Sequence, residues 1–509
     1  MESLRSDIFS KEQYLGTPEY AMAPYDHCLD FHIDLLKRHH DLLLGLEHPS
    51  ASKYQHQATL TMVTRMWEYG IKQYLKSLSW EQPIFQENAK DFISQANQIM
   101  RLLTKVVPSL DLIWIGTLGD LGQLRWDIEY EDSKAKETWA GVATFWYTKA
   151  ASKSPITGSI YCHSGIVTRP DALQQMYLYS RSLNCIKPSH TARALVNMLL
   201  DRVLGRFLPA YTEIPKADTC FLKLMAILLK RTPLDMAMWK KLSVEYRELL
   251  GYDIDRLRDG FHDRGAYTAI TMITALCGFG SGDSMLWLLF QYDGKKREFE
   301  KNEATNTLSP EIPGRPQPPT QAELNIMLEK VHAYRPTENS EFVLNRSGEL
   351  ALSVFSLMLQ KTDHEGTFSF IYIFLMFLVS ITRVHILNSR SMRYYAKSLF
   401  HRVPWQELSS FMNSVVSSSP GLDVVKIYSA HFLPDDGGQD EYILPEDRIM
   451  IGQIFSPSLY GDKWFHRVLL GDKPVTELPS ASKIRRERMV HATVYFAKVG
   501  DMIALGPMK

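Results

Sequence analysis

An all-α fold is predicted by three observations along the 509-residue chain. Apolar residues recur at helical spacing through most of the sequence, and few segments before residue 400 alternate apolar with polar residues as a half-buried strand does. Short polar or proline-containing breaks separate these segments. One part of the chain places small residues as the paired helices of a tetratricopeptide repeat do. Together these observations predict a helical-repeat superhelix.

The N-terminal helices are predicted to follow one another closely. Residues 1–25 are interpreted as an N-terminal extension, and residues 26–46 form the first predicted helix of the repeat region. Residues 58–78 and 90–107 repeat the helical pattern. Pro108 is expected to end the last of these helices, because proline cannot continue the backbone hydrogen-bond ladder.

The segment WIGTLGDLGQLRW carries three glycines inside a helix-length apolar stretch and one arginine, Arg125, near its end. The tetratricopeptide spacing is met by residues of this helix and the next one: Leu118, Gly119, Ala143, Tyr147, Ala150 and Pro155. The match is irregular, because the intervening WDIEYEDSKAKE adds about a dozen residues to the usual ~34-residue repeat. We expect the glycines to be positions where two antiparallel helices pack closely.

Beyond residue 300, one break and two helices are predicted. The proline-rich segment 308–321 is interpreted as an extended linker. The most hydrophobic run, residues 368–384, has an uninterrupted apolar core shorter than the roughly 20 residues that cross a membrane, which favours a buried core helix. Pro404 is expected in the first turn of a helix that ends near Ser418. Residues 422–448 are interpreted as a loop, with a short strand as the alternative.

Composition narrows the class of function. Lysine plus arginine and aspartate plus glutamate both number 57, so the formal net charge is zero and gives no whole-molecule electrostatic basis for nucleic-acid binding. The five cysteines are scattered and include no C-x-x-C pair, which indicates free thiols in a reducing compartment. The first residues contain no continuous apolar run, so no secretory signal is expected.

Two local patterns resemble ligand sites without completing them. CGFGSGDS is glycine-rich but lacks the lysine and serine or threonine that end a phosphate loop, so a turn between helices is expected. Cys28 and His32 have the spacing of metal ligands on a helix, but no second pair accompanies them. Neither paired carboxylates nor a nucleophile with its base can be assigned from spacing. The sequence therefore predicts no enzymatic activity, no cofactor and no metal.

Two stretches resemble the 14-3-3-like tetratricopeptide domain of the Est/Smg proteins, which act in telomerase recruitment and nonsense-mediated mRNA decay. They are LGDLGQLRW and the region that begins WYTKAASKSPITGSIYCHSGI and continues through YLYSRSLNCIKPSHTARALVNML. The family's pattern is kept at these positions: Gly119, Asp120, Arg125, Tyr147, Ala150, Ala151, Pro155, Gly158 and Tyr161.

The C-terminal half extends the resemblance. VPWQELSSFMN is similar to the proline-tryptophan helix of the family's helical hairpin domain. LPEDRIMIGQIFSPSLYGDKWF resembles a segment of fungal members that have an Est1-type DNA/RNA-binding domain. The resemblance implies a 14-3-3-like domain over residues 26–250, a helical extension over 251–307 and, after the linker, a C-terminal helical domain over 322–509.

A phosphate site is also implied by the resemblance. In the family, phosphoserine peptides are bound by a lysine five residues after a helix tryptophan and by the arginine that ends the leucine-glycine-aspartate helix. The matching residues here are Lys72 and Arg125, and Arg181 matches a further family arginine. A phosphoserine accepts strong charge-assisted hydrogen bonds from such cations. The alternatives are that Arg125 pairs with Asp120 or Glu129, that Lys72 is a solvated lysine and that Arg181 is a helix-surface residue.

The segment SKIRRERMVH is a basic cluster near the end of the chain. Its residues Lys483, Arg485, Arg486 and Arg488 form a candidate patch for RNA or DNA, because cationic side chains bind phosphates with little regard to base sequence. The alternative is a solvated helix face.

Three functions remain open on this basis. The first is a non-enzymatic adaptor that binds phosphorylated protein partners in nonsense-mediated mRNA decay or in telomerase and telomere maintenance. The second is direct binding of RNA or telomeric DNA. The third is a diverged helical-repeat scaffold for another protein complex. The nucleus, the cytoplasm or both are the expected location, no membrane association is expected, and the oligomeric state stays open.

Overall fold

The all-α fold predicted from the sequence is confirmed, since no residue of the described ranges belongs to a β-strand. The extended contacts found there are two isolated bridges, Thr157 with Lys187 and Cys185 with Gln453. The computed structural model describes residues 2–46, 61–78, 83–129, 132–205, 214–230, 236–305, 318–384, 399–419, 421–422, 427, 443–460 and 479–499.

The helices are numbered in chain order, with α4 covering residues 61–77. The first seven are α1 Glu2–Tyr14, α2 Pro18–Ala21, α3 Tyr25–Leu46, α4, α5 Pro83–Val106, α6 Asp111–Ile128 and α7 Ser133–Lys153. The next seven are α8 Gly158–Val167, α9 Ala172–Leu183, α10 Ala192–Val203, α11 Lys216–Lys230, α12 Met236–Leu257, α13 His262–Leu276 and α14 Met285–Thr305. The last six are α15 Gln321–Ala333, α16 Glu338–Gln360, α17 Phe368–Arg383, α18 Trp405–Ser417, α19 Pro445–Met450 and α20 Pro479–Val499.

The chain divides into two compact units. Unit 1 includes Met1–Lys153, and unit 2 comprises Ser154–Asn306 together with Pro318–Lys509. This division falls inside residues 26–250, which the family resemblance implies to be one domain. The implied domain limits stay predictions.

The core of unit 1 is formed where successive helices pack on one another. Leu35 and Leu36 of α3 and Phe92 and Ile93 of α5 are completely buried in it. Each of these helices thus contributes apolar side chains to the core. The predicted extension at residues 1–25 forms α1 and α2, and Ile8 of α1 is also completely buried.

The predicted close packing of glycines is confirmed at the crossing of α6 and α7. A Cβ atom at Gly119 would lie 2.5 Å from Cε1 of Tyr147, and one at Gly122 would lie 3.1 Å from the Cα of Ala143. Gly116, in contrast, has no neighbouring atom within 4 Å of such a Cβ. Two of the three glycines are therefore needed for helix contact.

The centre of unit 2 is α17, which packs against α13, α16 and α20. Judged by length and composition alone, the segments Glu365–Arg383 and Glu338–Gln360 are apolar enough to cross a membrane. The apolar window of the first is 89% buried inside the protein. The predicted core helix is therefore confirmed, because the surrounding helices cover its apolar side chains.

Part of α4 departs from the predicted α-helix, since Met66–Lys72 is π-helical. In this turn, the His32 Nδ1–H of α3 donates to the carbonyl oxygen of Gly70 at 3.0 Å. A Cβ atom at Gly70 would lie 2.8 Å from Cδ2 of Leu36, so glycine allows α3 to approach. The Gly70 carbonyl oxygen thus has a hydrogen-bond partner on α3, which an isolated helix would not provide. This contact stabilises the π-helical turn, which is wider than an α-helical one.

Smaller differences concern helix ends and breaks. Pro404 occupies the N-cap of α18 rather than its first turn. The turn predicted at the glycine-rich segment is confirmed between α13 and α14, where Gly278, Phe279 and Gly280 all have positive φ (64°, 54° and 70°). Most of the predicted linker 308–321 and of the predicted loop 422–448 lies outside the described residues.

Candidate functional site

Lys72 ends the π-helical turn of α4. Its Nζ lies 2.7 Å from Oε1 of Glu68, and the two side chains are 40% and 46% exposed. An exposed ion pair of this kind contributes roughly 0–1 kcal/mol, so little holds Lys72 to Glu68. The lysine is therefore accessible to an anion from solvent.

Arg125 lies near the end of α6 and is largely buried. Its Nη1 is 2.8 Å from Oε1 of Glu129, and its guanidinium lies 5.4 Å from the ring centre of Trp139. Nη1 is nevertheless not aligned for a hydrogen bond. Asp120, the other acid considered, accepts from the hydroxyl of Tyr147 at 2.9 Å. Arg125 thus makes the ion pair with Glu129 that the sequence left as an alternative.

A second cation, Lys90 of α5, shares this carboxylate. Lys90 Nζ is 3.5 Å from Oε2 of Glu129 and 2.8 Å from Oε1 of Glu87. The side chain of Glu129 is only 7% exposed, and burial lowers the pKa of Arg125 while the charges of Glu129 and Glu87 oppose that shift. Lys90, Arg125 and Glu129 are named the Arg125 cluster below.

The spacing of residues in the sequence does not predict the Arg125 cluster. Lys90 and Arg125 belong to different helices, and only the packing of α5 against α6 brings both to Glu129. Lys72, the sequence-based companion of Arg125, pairs with Glu68 instead. Chemically, the cluster holds one anionic group between two cations.

Arg181 lies in unit 2 and is not on a helix surface, since only 9% of the residue is exposed. Its Nη2 donates to the carbonyl oxygens of Arg448 at 2.6 Å and Ile451 at 3.4 Å. Its guanidinium also lies 4.2 Å from the ring centre of Tyr161. This corrects the surface alternative: Arg181 binds α9 to residues 448–451 of the same chain.

The four basic residues of the predicted C-terminal patch differ in burial. The side chain of Arg485 is 3% exposed and its Nε lies 2.5 Å from Oε1 of Glu446, which has no exposed side-chain surface. Arg488, 8% exposed, pairs with the equally buried Asp447. A buried arginine that is already paired with a carboxylate is not accessible to nucleic acid. The predicted four-residue patch is therefore wrong at Arg485 and Arg488.

The other two members of the predicted patch lie on the outer side of α20. Lys483 is 64% exposed, and Arg486 is 21% exposed and pairs with Glu365. The candidate patch therefore reduces to Lys483 and Arg486.

Cys28 and His32 are helix-packing residues. His32 has no exposed surface, accepts a hydrogen bond at Nε2 from the Tyr20 hydroxyl at 2.7 Å, and uses its Nδ1–H for Gly70. Burial lowers the pKa of His32 to about 4, so the ring is neutral near pH 7. Within the described ranges, no three histidine, cysteine, aspartate or glutamate residues form a group suited to a metal.

Comparison with known proteins gives a match in structure. No protein-family model and no curated protein sequence matches the chain. A solved structure, described as the crystal structure of Est1 and Cdc13, contains a chain similar to this one over 97% of its length and 96% of that chain, with a TM-score of 0.53 and 11% identity. At this identity the likeness concerns the fold, and it extends from one end of the chain to the other.

Proposed function

We propose that this chain is a non-enzymatic helical scaffold that assembles with protein partners in telomere maintenance. The observation that carries the proposal is the end-to-end likeness to a chain of a solved structure of Est1 and Cdc13. Likeness over 97% of the chain is more specific than a shared helix pair, because short helical repeats recur in many unrelated proteins.

The proposal is tested by affinity purification of the tagged full-length chain under mild salt, followed by identification of bound proteins and RNA. We expect co-purification of telomere-associated proteins. A set of mRNA-decay factors without telomeric ones would favour the decay function instead. Recovery of neither set would leave the chain as a scaffold for another complex and contradict the proposal.

A finer proposal is that the partner carries a phosphoserine that binds at the Arg125 cluster. The carboxylate of Glu129 lies between Lys90 and Arg125, in the position that the phosphate would take. A phosphoserine brings close to two negative charges and three acceptor oxygens, so it competes well against one carboxylate. The unaligned Nη1 of Arg125 would gain a hydrogen-bond acceptor. Lys72, which is held only by the exposed Glu68, would supply a third cation from α4.

Calorimetric titration tests the finer proposal, using phosphorylated and plain peptides from a co-purified partner. Charge-assisted hydrogen bonds contribute roughly 1.5–3 kcal/mol, so Arg125→Gln or Lys72→Gln should weaken binding of the phosphopeptide by roughly ten- to a hundredfold. Lys76→Gln is the matched control, because Lys76 is an exposed lysine of the same helix. Equal affinity of the wild type for the paired peptides would refute phosphate recognition.

A further inference from the structure

A serine-rich turn lies against Arg486 in unit 2. The Nη1–H of Arg486 donates to Oγ of Ser419 at 3.0 Å, and Nη2–H donates to Oε1 of Glu365. The Nε–H of the same guanidinium is buried and has no hydrogen-bond partner. Arg486 therefore has one serine hydroxyl, one carboxylate and one unused donor around it.

The serines at this contact differ in exposure. Ser417 and Ser418, at the end of α18, are exposed, and Ser419 is half-buried. Lys483 lies one helical turn before Arg486 on α20, so both point to the same side of that helix, and its side chain is 64% exposed. The site thus combines a half-buried serine hydroxyl with Arg486 and with the exposed Lys483, whose Nζ lies 3.8 Å from Oε1 of Glu487.

We propose that Ser419 is a phosphorylation site whose phosphate is bound by Arg486. In the sequence Ser419 is followed by Pro420, the dipeptide that proline-directed protein kinases modify. The serine hydroxyl offers Arg486 a neutral acceptor, whereas a phosphate offers three acceptor oxygens and close to two negative charges. Arginine binds such a group bidentately, and the unused Nε–H gains a partner.

The modification is a phosphoryl transfer from a nucleoside triphosphate. The Oγ of Ser419 forms a bond to the γ-phosphorus while the bond from that phosphorus to the β-phosphate oxygen breaks. The hydroxyl proton passes to the catalytic base of the kinase, and the nucleoside diphosphate leaves.

Two nearby features oppose the phosphate and are weaker than the attraction. Ser419 follows the C-terminal end of α18, where the helix dipole is negative, and Glu365 carries a like charge. The side chain of Glu365 is 46% exposed and its Oε2 accepts a hydrogen bond from the Ser482 hydroxyl at 2.8 Å, so Glu365 keeps a partner when the phosphate takes its place on Arg486. Phosphorylation therefore exchanges an ion pair with Glu365 for a stronger one that ties the end of α18 to α20.

The test uses the full-length chain with phosphoserine placed at position 419 during translation. Phosphorus NMR follows the second ionisation of the phosphate, which has a pKa of roughly 6 in isolation. We expect a pKa lower by roughly 0.5–1 unit at position 419, because Arg486 favours the dianion. The shift should disappear with Arg486→Gln. Phosphoserine at the exposed position 417 is the matched control.

Equal phosphate pKa values at positions 417 and 419, or a shift that survives Arg486→Gln, would overturn the assignment. Access is tested separately with a proline-directed kinase that phosphorylates a free peptide spanning residues 413–425. Incubation of the folded chain with this kinase and nucleoside triphosphate should modify Ser419, as seen by mass spectrometry, and Ser419→Ala should abolish that product. Modification of the peptide but not of the folded chain would refute the proposal.

Discussion

Glu446 and Asp447 are adjacent carboxylates at the start of α19, and neither has exposed surface. Glu446 meets Arg485 and His262, whereas Asp447 meets Arg488 and accepts hydrogen bonds from two buried tyrosine hydroxyls. Removal of one partner of a buried ion pair leaves an uncompensated charge, which costs more than the pair itself contributes. At the scale of single residues, these pairs bind α19 to α13, α17 and α20.

Replacement of Arg485 by alanine should destabilise the protein strongly. We expect the free energy of unfolding to fall by about 3–5 kcal/mol, because the buried Glu446 would keep only His262 as a charged partner. Lys483→Ala, two residues earlier on the exposed side of α20, should change it by less than about 0.5 kcal/mol. Urea denaturation followed by circular dichroism measures both. Equal stability of the two variants would mean that the buried pair contributes nothing.

His262 should make stability depend on pH in the alkaline range. Burial by itself lowers the pKa of His262, but hydrogen bonds to Asp263 and Glu446 and the charge of Glu446 raise it to about 9, against the opposing charge of Arg485. Because the folded pKa lies above the unfolded value of about 6.5, the stabilisation is fully present below pH 6.5 and is lost as pH rises through 9.

The measurement is the difference in unfolding free energy between the wild type and His262→Gln from pH 6 to pH 10. We expect a difference on the order of 3 kcal/mol at pH 6 that shrinks toward pH 10, since one pKa unit corresponds to about 1.4 kcal/mol. Residues that titrate in both variants cancel in this difference. A difference independent of pH would show that folding does not raise the pKa of His262.

At the scale of helices, the crossing of α6 and α7 shows how glycine positions control packing. Tyr147 occupies the space beside Gly119 and is held there, because its hydroxyl donates to Asp120 at 2.9 Å and lies 3.1 Å from Oε1 of Gln123. A side chain at position 119 would have to displace this anchored ring. Gly116, three residues earlier, meets no such neighbour.

Alanine at these two glycines should have opposite effects. Gly116→Ala should stabilise the protein by about 0.5–1 kcal/mol, because alanine loses less conformational entropy in a helix than glycine. Gly119→Ala should destabilise it by about 1–3 kcal/mol through overpacking against Tyr147. Thermal melts of the two variants give the comparison. Stabilisation by both substitutions would contradict the close approach of the two helices.

At the scale of the whole molecule, the charge balance provides no general electrostatic attraction for nucleic acid. The formal net charge is zero. Of the four basic residues predicted to form a patch on α20, Arg485 and Arg488 are buried in ion pairs. Of that patch, Lys483 and Arg486 remain, with Lys483 beside Glu487 and Arg486 beside Glu365.

Binding of RNA or telomeric DNA should therefore be weak and strongly salt-dependent. If Lys483 and Arg486 carry it, replacement of both by glutamine should reduce the magnitude of the slope of log affinity against log salt by roughly 1.4, because each phosphate contact on a single strand contributes about 0.7. Fluorescence anisotropy with labelled single strands measures that slope. Tight binding with an unchanged slope in the double variant would place the nucleic-acid surface elsewhere on the chain.

The sequence by itself determined the features that depend on local spacing. The all-α class, the core helix at Phe368–Arg383 and the close-packing role of Gly119 and Gly122 were all predicted. Each follows from residues within a few helical turns, because helix periodicity, helix breakers and side-chain size act locally. The π-helical turn Met66–Lys72 was not predicted, since its partner His32 lies on another helix.

Only the tertiary structure decided which charged residues face solvent. In SKIRRERMVH the arginines are neighbours in sequence, yet Arg485 and Arg488 point inward to Glu446 and Asp447, whereas Arg486 points outward. Lys90 and Arg125 meet at Glu129 only because α5 packs on α6. Since a charge is stable in the interior only when a distant part of the chain brings its partner, burial and pairing of charges cannot be read from a local pattern.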